Sequence, residues 1–215
     1  MVCWIAKFSV SNRFLVERKA VESSKNIELH RVMPNVTKPR TWDRTHFRRG
    51  EPWTGGPIHI REQLFRPYRR LPHLLAANGP WFISETLRQL IEEREPDVHQ
   101  FFRIDLETTD GSPWPTQYYL FNVCQHLAAA LLDRSQLVWR TNTSGQRYAG
   151  SPAYDDRLIV NTNVIAGKHV WKDKHFFGLT FFSDNLKRAC DRAEIDALEY
   201  IRVQESVSEN KNTVS

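Results

Sequence analysis

Histidines, cysteines, serines and carboxylates are the residues that would carry chemistry here, and their spacing assembles none of the arrangements such chemistry needs. His30, His46, His59, His73, His99, His126, His169 and His175 form neither HExxH nor HxH. His169 and His175 have only Asp173 as a neighbouring carboxylate, short of the three or four converging ligands a metal centre requires. The pairs Gly111-Ser112 and Gly150-Ser151 lack the GxSxG context of a nucleophile elbow. No P-loop and no GxGxxG occurs, and Gly55-Gly56 runs into Pro57, which removes an amide that a phosphate cradle would use. Glu92, Glu93 and Glu95 read as the solvent face of a helix, with nothing apolar beside them to raise a carboxyl pKa for acid-base work. Cys3, Cys124 and Cys190 are odd in number and show no CxxC spacing, so neither a disulfide framework nor a zinc knuckle is expected. They read as small core residues in a reducing compartment. No catalytic, cofactor-binding or metal-ligating residue is assigned, and the chain reads as one that acts by binding another macromolecule.

The residues suited to binding lie early in the chain. Arg40, Arg44, Arg48, Arg49, Arg66, Arg69 and Arg70 interleave with Trp42, Phe47, Trp53, Phe65 and Tyr68. Guanidinium groups pair with phosphates and aromatic rings stack on bases, so this composition suits RNA or single strands. The same residue types also dominate the energetic centres of protein interfaces. Charge follows the same asymmetry: the chain carries +5 overall, but Met1 to His73 holds 15 Lys+Arg against 6 Asp+Glu, and the remainder 15 against 19. Such an excess attracts phosphates or an acidic protein face, and is equally met as a solvated surface. Arg48, Arg49, Trp53, Arg69 and Arg70 are taken as the candidate partner-binding residues.

The elements that must position these residues belong to an α+β fold, mainly antiparallel strands with two or three short capped helices. At 215 residues with 40% apolar and 12% aromatic content, the chain can bury a real core without staples. The first ten residues alternate, with Trp4, Ala6 and Phe8 on one face, and predict a strand; a second is expected over Ile27 to Met33. Pro34 to Pro72 shows no helical or strand period and reads as mostly irregular, fixed by Trp42 and Trp53. Ser84 as N-cap, Glu85 in the first turn and the stripe Leu87, Leu90, Ile91 predict a helix from Glu85 to about Arg94, closed by Pro96. FFRIDLET (101–108) and QYYLFNVC (117–124), joined through DGSPWP, predict an antiparallel hairpin. LAAALLDRS (127–135) fits either a short helix or a crossover. DRLIVNTNVIAG and KHVWKDK read as strands, and FGLTFFS as a strand running into a helix capped by Ser183, with Leu186, Ala189, Cys190 and Ala193 as its stripe. LEYIRV (198–203) is the last expected strand. The expected division is a basic N-terminal region (1–80), an α+β domain (81–203) and a frayed tail (204–215). WFISETLRQL and TFFSDNLKRAC echo one another; convergent capping chemistry, which needs a Ser and an acid at those places, is the simplest account. No basic leader precedes an apolar stretch, and no window approaches the roughly 18 apolar residues of a membrane span.

From Trp81 onward several segments occur together in a recognisable order. FISETLRQLIEEREPDVHQFFRIDL (82–106), YYLFNVCQHLAAALLDRS (118–135), VIAGKHVWKD and TFFSDNLKRACDRAEIDALEYIRV resemble immunity family eleven of bacterial polymorphic-toxin systems, with EPDVHQFF the most specific piece. The similarity spans Trp81 to Val203. It implies a cytoplasmic antitoxin that binds and neutralises a cognate toxin, often a nuclease, and it transfers no catalytic residue. Within EPDVHQFF, His99 and Gln100 are expected to satisfy backbone groups where helix hands over to strand. One feature departs from a simple nuclease inhibitor: such inhibitors are often acidic to imitate nucleic acid, whereas the N-terminal third here is basic. A nucleic-acid-binding regulator using that basic third is the alternative.

Overall fold

The computed structural model describes residues 2–8, 47, 51–54, 58, 60–64, 67–76, 81–137, 139–141, 147–149, 158–176 and 179–207. Among these are the strands β1 (Cys3–Phe8), β2 (Ile60–Gln63), β3 (Leu74–Ala76), β4 (Trp81–Ser84), β5 (Gln100–Glu107), β6 (Tyr118–Asn122) and β7 (His126–Leu127). They continue as β8 (Trp139–Thr141), β9 (Arg147–Ala149), β10 (Ile159–Asn161), β11 (Val170–Asp173), β12 (Thr180–Ser183) and β13 (Leu198–Ser206). The helices are α1 (Glu85–Glu92), α2 (Thr162–Ile165) and α3 (Asp184–Arg192).

Two sheets carry the architecture. One has the order β10-β13-β1-β12-β11-β7 and the other β2-β5-β6-β4-β3, while β8 and β9 pair as a separate ribbon. Most neighbours are antiparallel; β10 with β13, β7 with β11 and β2 with β5 are parallel. The fold is thus α+β and dominated by sheet. Strand β1 joins N-terminal residues to a sheet otherwise built from residues beyond 125, hydrogen-bonded to β12 on one side and β13 on the other.

Both sheets are covered on both faces, so their strands place apolar side chains in two directions. Cys3 and Ile5 enter a cluster with Trp171, Phe181, Val160 and Val203, whereas Ala6 enters another with Phe182, Val170, Ile83 and Phe121. The second cluster also takes in Leu87 and Ile91 of α1 and Leu186 and Cys190 of α3, so both helices lie against the central core. The remaining face of the five-stranded sheet packs Phe82, Ile104 and Leu120 against Phe47, Ile58, Leu64 and Leu71.

The two main helices form for the reasons their sequence gives. Ser84 and Ser183 are extended and each accepts the backbone N–H three residues on, from Leu87 at 3.3 Å and from Leu186 at 3.2 Å. Glu85 and Asp184 then place negative charge at the positive end of the helix. The first helix stops at Glu92, two residues short of the expectation, and turns through Asp97 at φ 59°.

Other expectations are corrected. The stretch from Pro34 to Pro72 contains β2, paired in parallel with β5; Ile58, Ile60 and Leu64 do alternate inward, but Glu62 between them is also buried and breaks the apolar period. Among the described residues of DRLIVNTNVIAG, Ile159–Asn161 is strand and ends where Asn161 accepts the Asn163 N–H and starts α2. LAAALLDRS follows the crossover reading: after β7, the amides of Ala129 and Ala130 turn to the Asp173 carboxylate, not to a helix. Pairing of 139–141 with 147–149 has no counterpart in the sequence reading. The strand expected over Ile27 to Met33 lies outside the described residues, as does the tail beyond Val207.

Leu87 and Leu186 are fully buried at matching places in the shared core. Each Leu→Ala change is expected to lower unfolding free energy by about 2–5 kcal/mol, measured by denaturant titration.

Candidate partner-binding surface

Trp53 lies at the margin of the five-stranded sheet where β5 begins and β6 ends, its segment tied down by two side-chain amides, whereas Arg69 and Arg70 precede β3 toward the opposite ends of these strands, where Ser84 and Tyr118 lie. Gln100, the first residue of β5, accepts the Trp53 N–H at 2.7 Å through Oε1 and donates Nε2 to the Trp53 carbonyl at 3.0 Å. Asn122, the last residue of β6, donates Nδ2 to the Glu51 carbonyl at 2.9 Å and to Gln100 Oε1 at 3.0 Å. A strand edge would hold a segment in the same way, but here two side chains supply the bonds. The Trp53 ring stacks on buried Phe47 with centroids 6.1 Å apart, and Phe47 meets Phe102 edge-on at 5.9 Å.

Trp53 is therefore half-buried, an anchor into the core as much as an outward contact, while its neighbours Glu51, Pro52 and Thr54 are exposed. Arg69 and Arg70 are exposed; Arg70 bonds Asp196, whose other carboxylate oxygen accepts the His73 N–H at 2.7 Å. Arg48 and Arg49, together with Arg40, Trp42, Arg44, Phe65 and Arg66, lie outside the described residues. Of the five candidates, the structure describes Trp53, Arg69 and Arg70, and among these three the two arginines are exposed, Arg70 while paired with Asp196.

Directly behind this margin sits a polar centre that the sequence reading assigned to solvent. Glu95 is 5% exposed, not part of an open helix face. Its carboxylate accepts from His99 Nε2 at 2.8 Å, from the backbone N–H of His169 at 2.8 Å and of Val170 at 2.9 Å, and from Gln125 Nε2. His99 completes the arrangement by accepting the Cys124 N–H on Nδ1 at 3.2 Å, which fixes its proton on Nε2. Burial alone would raise the Glu95 pKa, but the bonds from His99, His169 and Gln125 outweigh it and hold the carboxyl below its ordinary value. Glu95 continues the buried stripe of Leu87 and Ile91 at four-residue spacing, its N–H still bonded to the Ile91 carbonyl at 3.0 Å, so helical spacing does turn it inward and only its charge reads as solvent-facing. His99 and Gln100 both satisfy backbone groups, as EPDVHQFF was expected to do at this junction.

The remaining reactive groups are used structurally. His73 Nδ1 lies 2.8 Å from Ser84 Oγ, and His169 Nδ1 lies 2.8 Å from Ser183 Oγ. Each hydroxyl also accepts its helix N–H, and burial lowers the pKa of both rings. These Ser–His pairs are separated by 11 and 14 residues, which is why no sequence motif announced them. Burial pushes the Cys124 and Cys190 thiols up to about 11 and raises Cys3 as well, leaving all three protonated near neutrality. Among the described residues no group of three or more His, Cys, Asp or Glu is placed to hold a metal ion. No described helix is long and apolar enough to cross a membrane.

The model of the immunity protein family Imm11 matches residues 16–205, from well before the capped helices to the end of the last strand. The chain belongs to the Imm11 immunity protein family. No curated protein matches it in sequence. The family match extends over the Glu51–Trp53 segment as well as the Glu95 centre, so the amide clamp lies within the Imm11 region.

The lowered Glu95 pKa sets a pH dependence. Its contribution to stability is complete above the unfolded value near 4.5 and is lost as pH falls through the lower folded value. Glu95→Gln places an amide N–H against donors, so it is expected to cost about 1–3 kcal/mol at neutral pH. It should also flatten the decline of stability below pH 4.5, measured by urea titrations across pH.

Proposed function

We propose that this protein is an antitoxin that neutralises a cognate toxin by stoichiometric binding, with no bond made or broken. The observation that carries this reading is the Imm11 match over residues 16–205. The chemistry of the interior agrees with it: protonated buried thiols, neutral capped histidines and a carboxylate saturated with donors are dispositions suited to holding a shape. The toxin would be met in the cytoplasm, and a nuclease is one activity it can have.

Contact is assigned to Arg48, Arg49, Arg69 and Arg70 together with the margin that bears Trp53. In this reading the arginines reach the partner and Trp53 chiefly locks the segment, buried against Phe47. An interface of standard size, about 1,600 Å² in total, would extend well beyond these five residues. The basic excess of the N-terminal third fits a toxin with an acidic face near this margin.

Co-purification with the product of the neighbouring toxin gene, together with suppression of that toxin at an equimolar ratio, tests the proposal; a toxin left unbound and fully active refutes it. Arg48→Ala, Arg49→Ala and Arg69→Ala combined are expected to keep the fold and weaken toxin binding at least about 10-fold, measured by calorimetry. Trp53→Ala should lower stability as well as affinity. The same charge excess favours a second reading, a regulator that binds nucleic acid. That reading requires affinity for mixed RNA and DNA falling steeply across a salt series, and a flat response eliminates it.

A further inference from the structure

The two sheets correspond strand for strand. Read from one edge, the smaller runs β3-β4-β6-β5-β2 and the larger β11-β12-β1-β13-β10, with β7 added beyond β11. In both, the first three pairings are antiparallel and the last is parallel. In both, the second strand runs straight into a capped helix whose exit leads to the fourth strand. Among the described strands the order differs at the third: β6 follows β5 in the chain, but its counterpart β1 comes from the other end; α2, between β10 and β11, has no described counterpart between β2 and β3.

Side chains repeat the match in detail. The cap residues Ser84 (φ −69°, ψ 162°) and Ser183 (φ −68°, ψ 158°) have nearly the same backbone. Each donates its N–H to a histidine carbonyl at 2.9 Å, from His73 and His169, and bonds the same ring through its hydroxyl at 2.8 Å. One turn into the helix, the Arg88 guanidinium lies 5.9 and 5.2 Å from the Phe101 and Tyr119 rings, and the Lys187 ammonium 5.1 Å from both Tyr200 and Trp4. The registers make these rings equivalent: Ser84 faces Tyr118 and Ile83 faces Tyr119, as Ser183 faces Cys3 and Phe182 faces Trp4. On the next strand, Phe121 faces Phe101 as Ala6 faces Tyr200. With Arg88, Tyr119 helps hold the Glu85 carboxyl below its ordinary value, and Trp4 Nε1 donates to Asp184 at 3.2 Å.

The contacts between the halves are reciprocal too. A carboxylate beyond each helix takes the N–H of the other half's histidine, Glu95 from His169 at 2.8 Å and Asp196 from His73 at 2.7 Å. Capping chemistry accounts for a Ser and an acid at a helix start. It does not require a histidine just ahead of the adjoining strand, a cation over rings from two further strands, or a parallel fifth strand. We infer that the protein is two copies of one structural unit, each a capped helix on a five-stranded sheet, and that the second copy is circularly permuted, with β1 serving as its third strand.

The inference makes a definite geometric demand. Ile104 faces Tyr118 as Val203 faces Cys3, so the connection 108–117 that joins β5 to β6 should also join Ser206 to Cys3 in register. Two permuted chains test this, both carrying a copy of residues 108–117 between Ser206 and Cys3. One begins at Ser9 and ends at Phe8; the other is opened between Asp110 and Gly111, giving the first half the break that the second half has in the native chain. Each is expected to be a folded monomer with an unfolding midpoint within about 4 °C of the native chain. The amides of Cys3–Phe8 should be as protected from hydrogen exchange as in the native protein. Folding of either chain with those amides protected supports the inference. If both chains are unfolded, or fold with Cys3–Phe8 freely exchanging, it is overturned.

Discussion

A single buried carboxylate holds the central polar junction of this protein. Glu95 gathers donors from His99 at the start of β5, from Gln125 between β6 and β7, and from the first residues of β11. Those groups come from both sheets and from the turn that follows α1. Removing an ion from water costs several kcal/mol, and only a full set of donors offsets it. The saturation of Glu95 is therefore the condition on which the approach of the two sheets depends. Asp173 acts on the same principle at the six-stranded sheet, where it accepts the amides of Ala129, Ala130 and His175 and so allows an irregular segment to run through the core.

The parts of this fold legible in the sequence are those whose determinants lie within a few residues of each other. Ser84 with Glu85 and Ser183 with Asp184, each followed by an apolar stripe, fix both helices locally. The β5–β6 hairpin is readable because its strands flank one turn-rich connection. What escaped depends on distant partners. Glu95 sits one turn beyond Ile91 on the buried stripe, yet a carboxylate there reads as solvent-facing until His169 and Val170 arrive from 74 and 75 residues away. Glu62 disguises β2, whose pairing with β5 supplies what its short pattern lacks. The Ser–His pairs join residues on neighbouring strands and leave no local mark.

The candidate contact surface divides in the same way. Composition drew attention to the arginine and aromatic residues, and tertiary structure then separated their tasks. Phe47 is core and Trp53 is half-buried against it, whereas Arg69 and Arg70 face outward. An aromatic interleaved with arginines can serve as the fastening of a loop, and only burial distinguishes that from a contact residue.

The fastening at Glu51–Trp53 has a corollary. Gln100 and Asn122 grip peptide groups, at the Trp53 N–H and carbonyl and the Glu51 carbonyl, and a peptide group is common to almost every amino acid. The grip of these two amides therefore acts on backbone groups and sets no side-chain type of its own at Glu51. The address of this stretch is thus held in part by residues outside it, at the start of β5 and the end of β6.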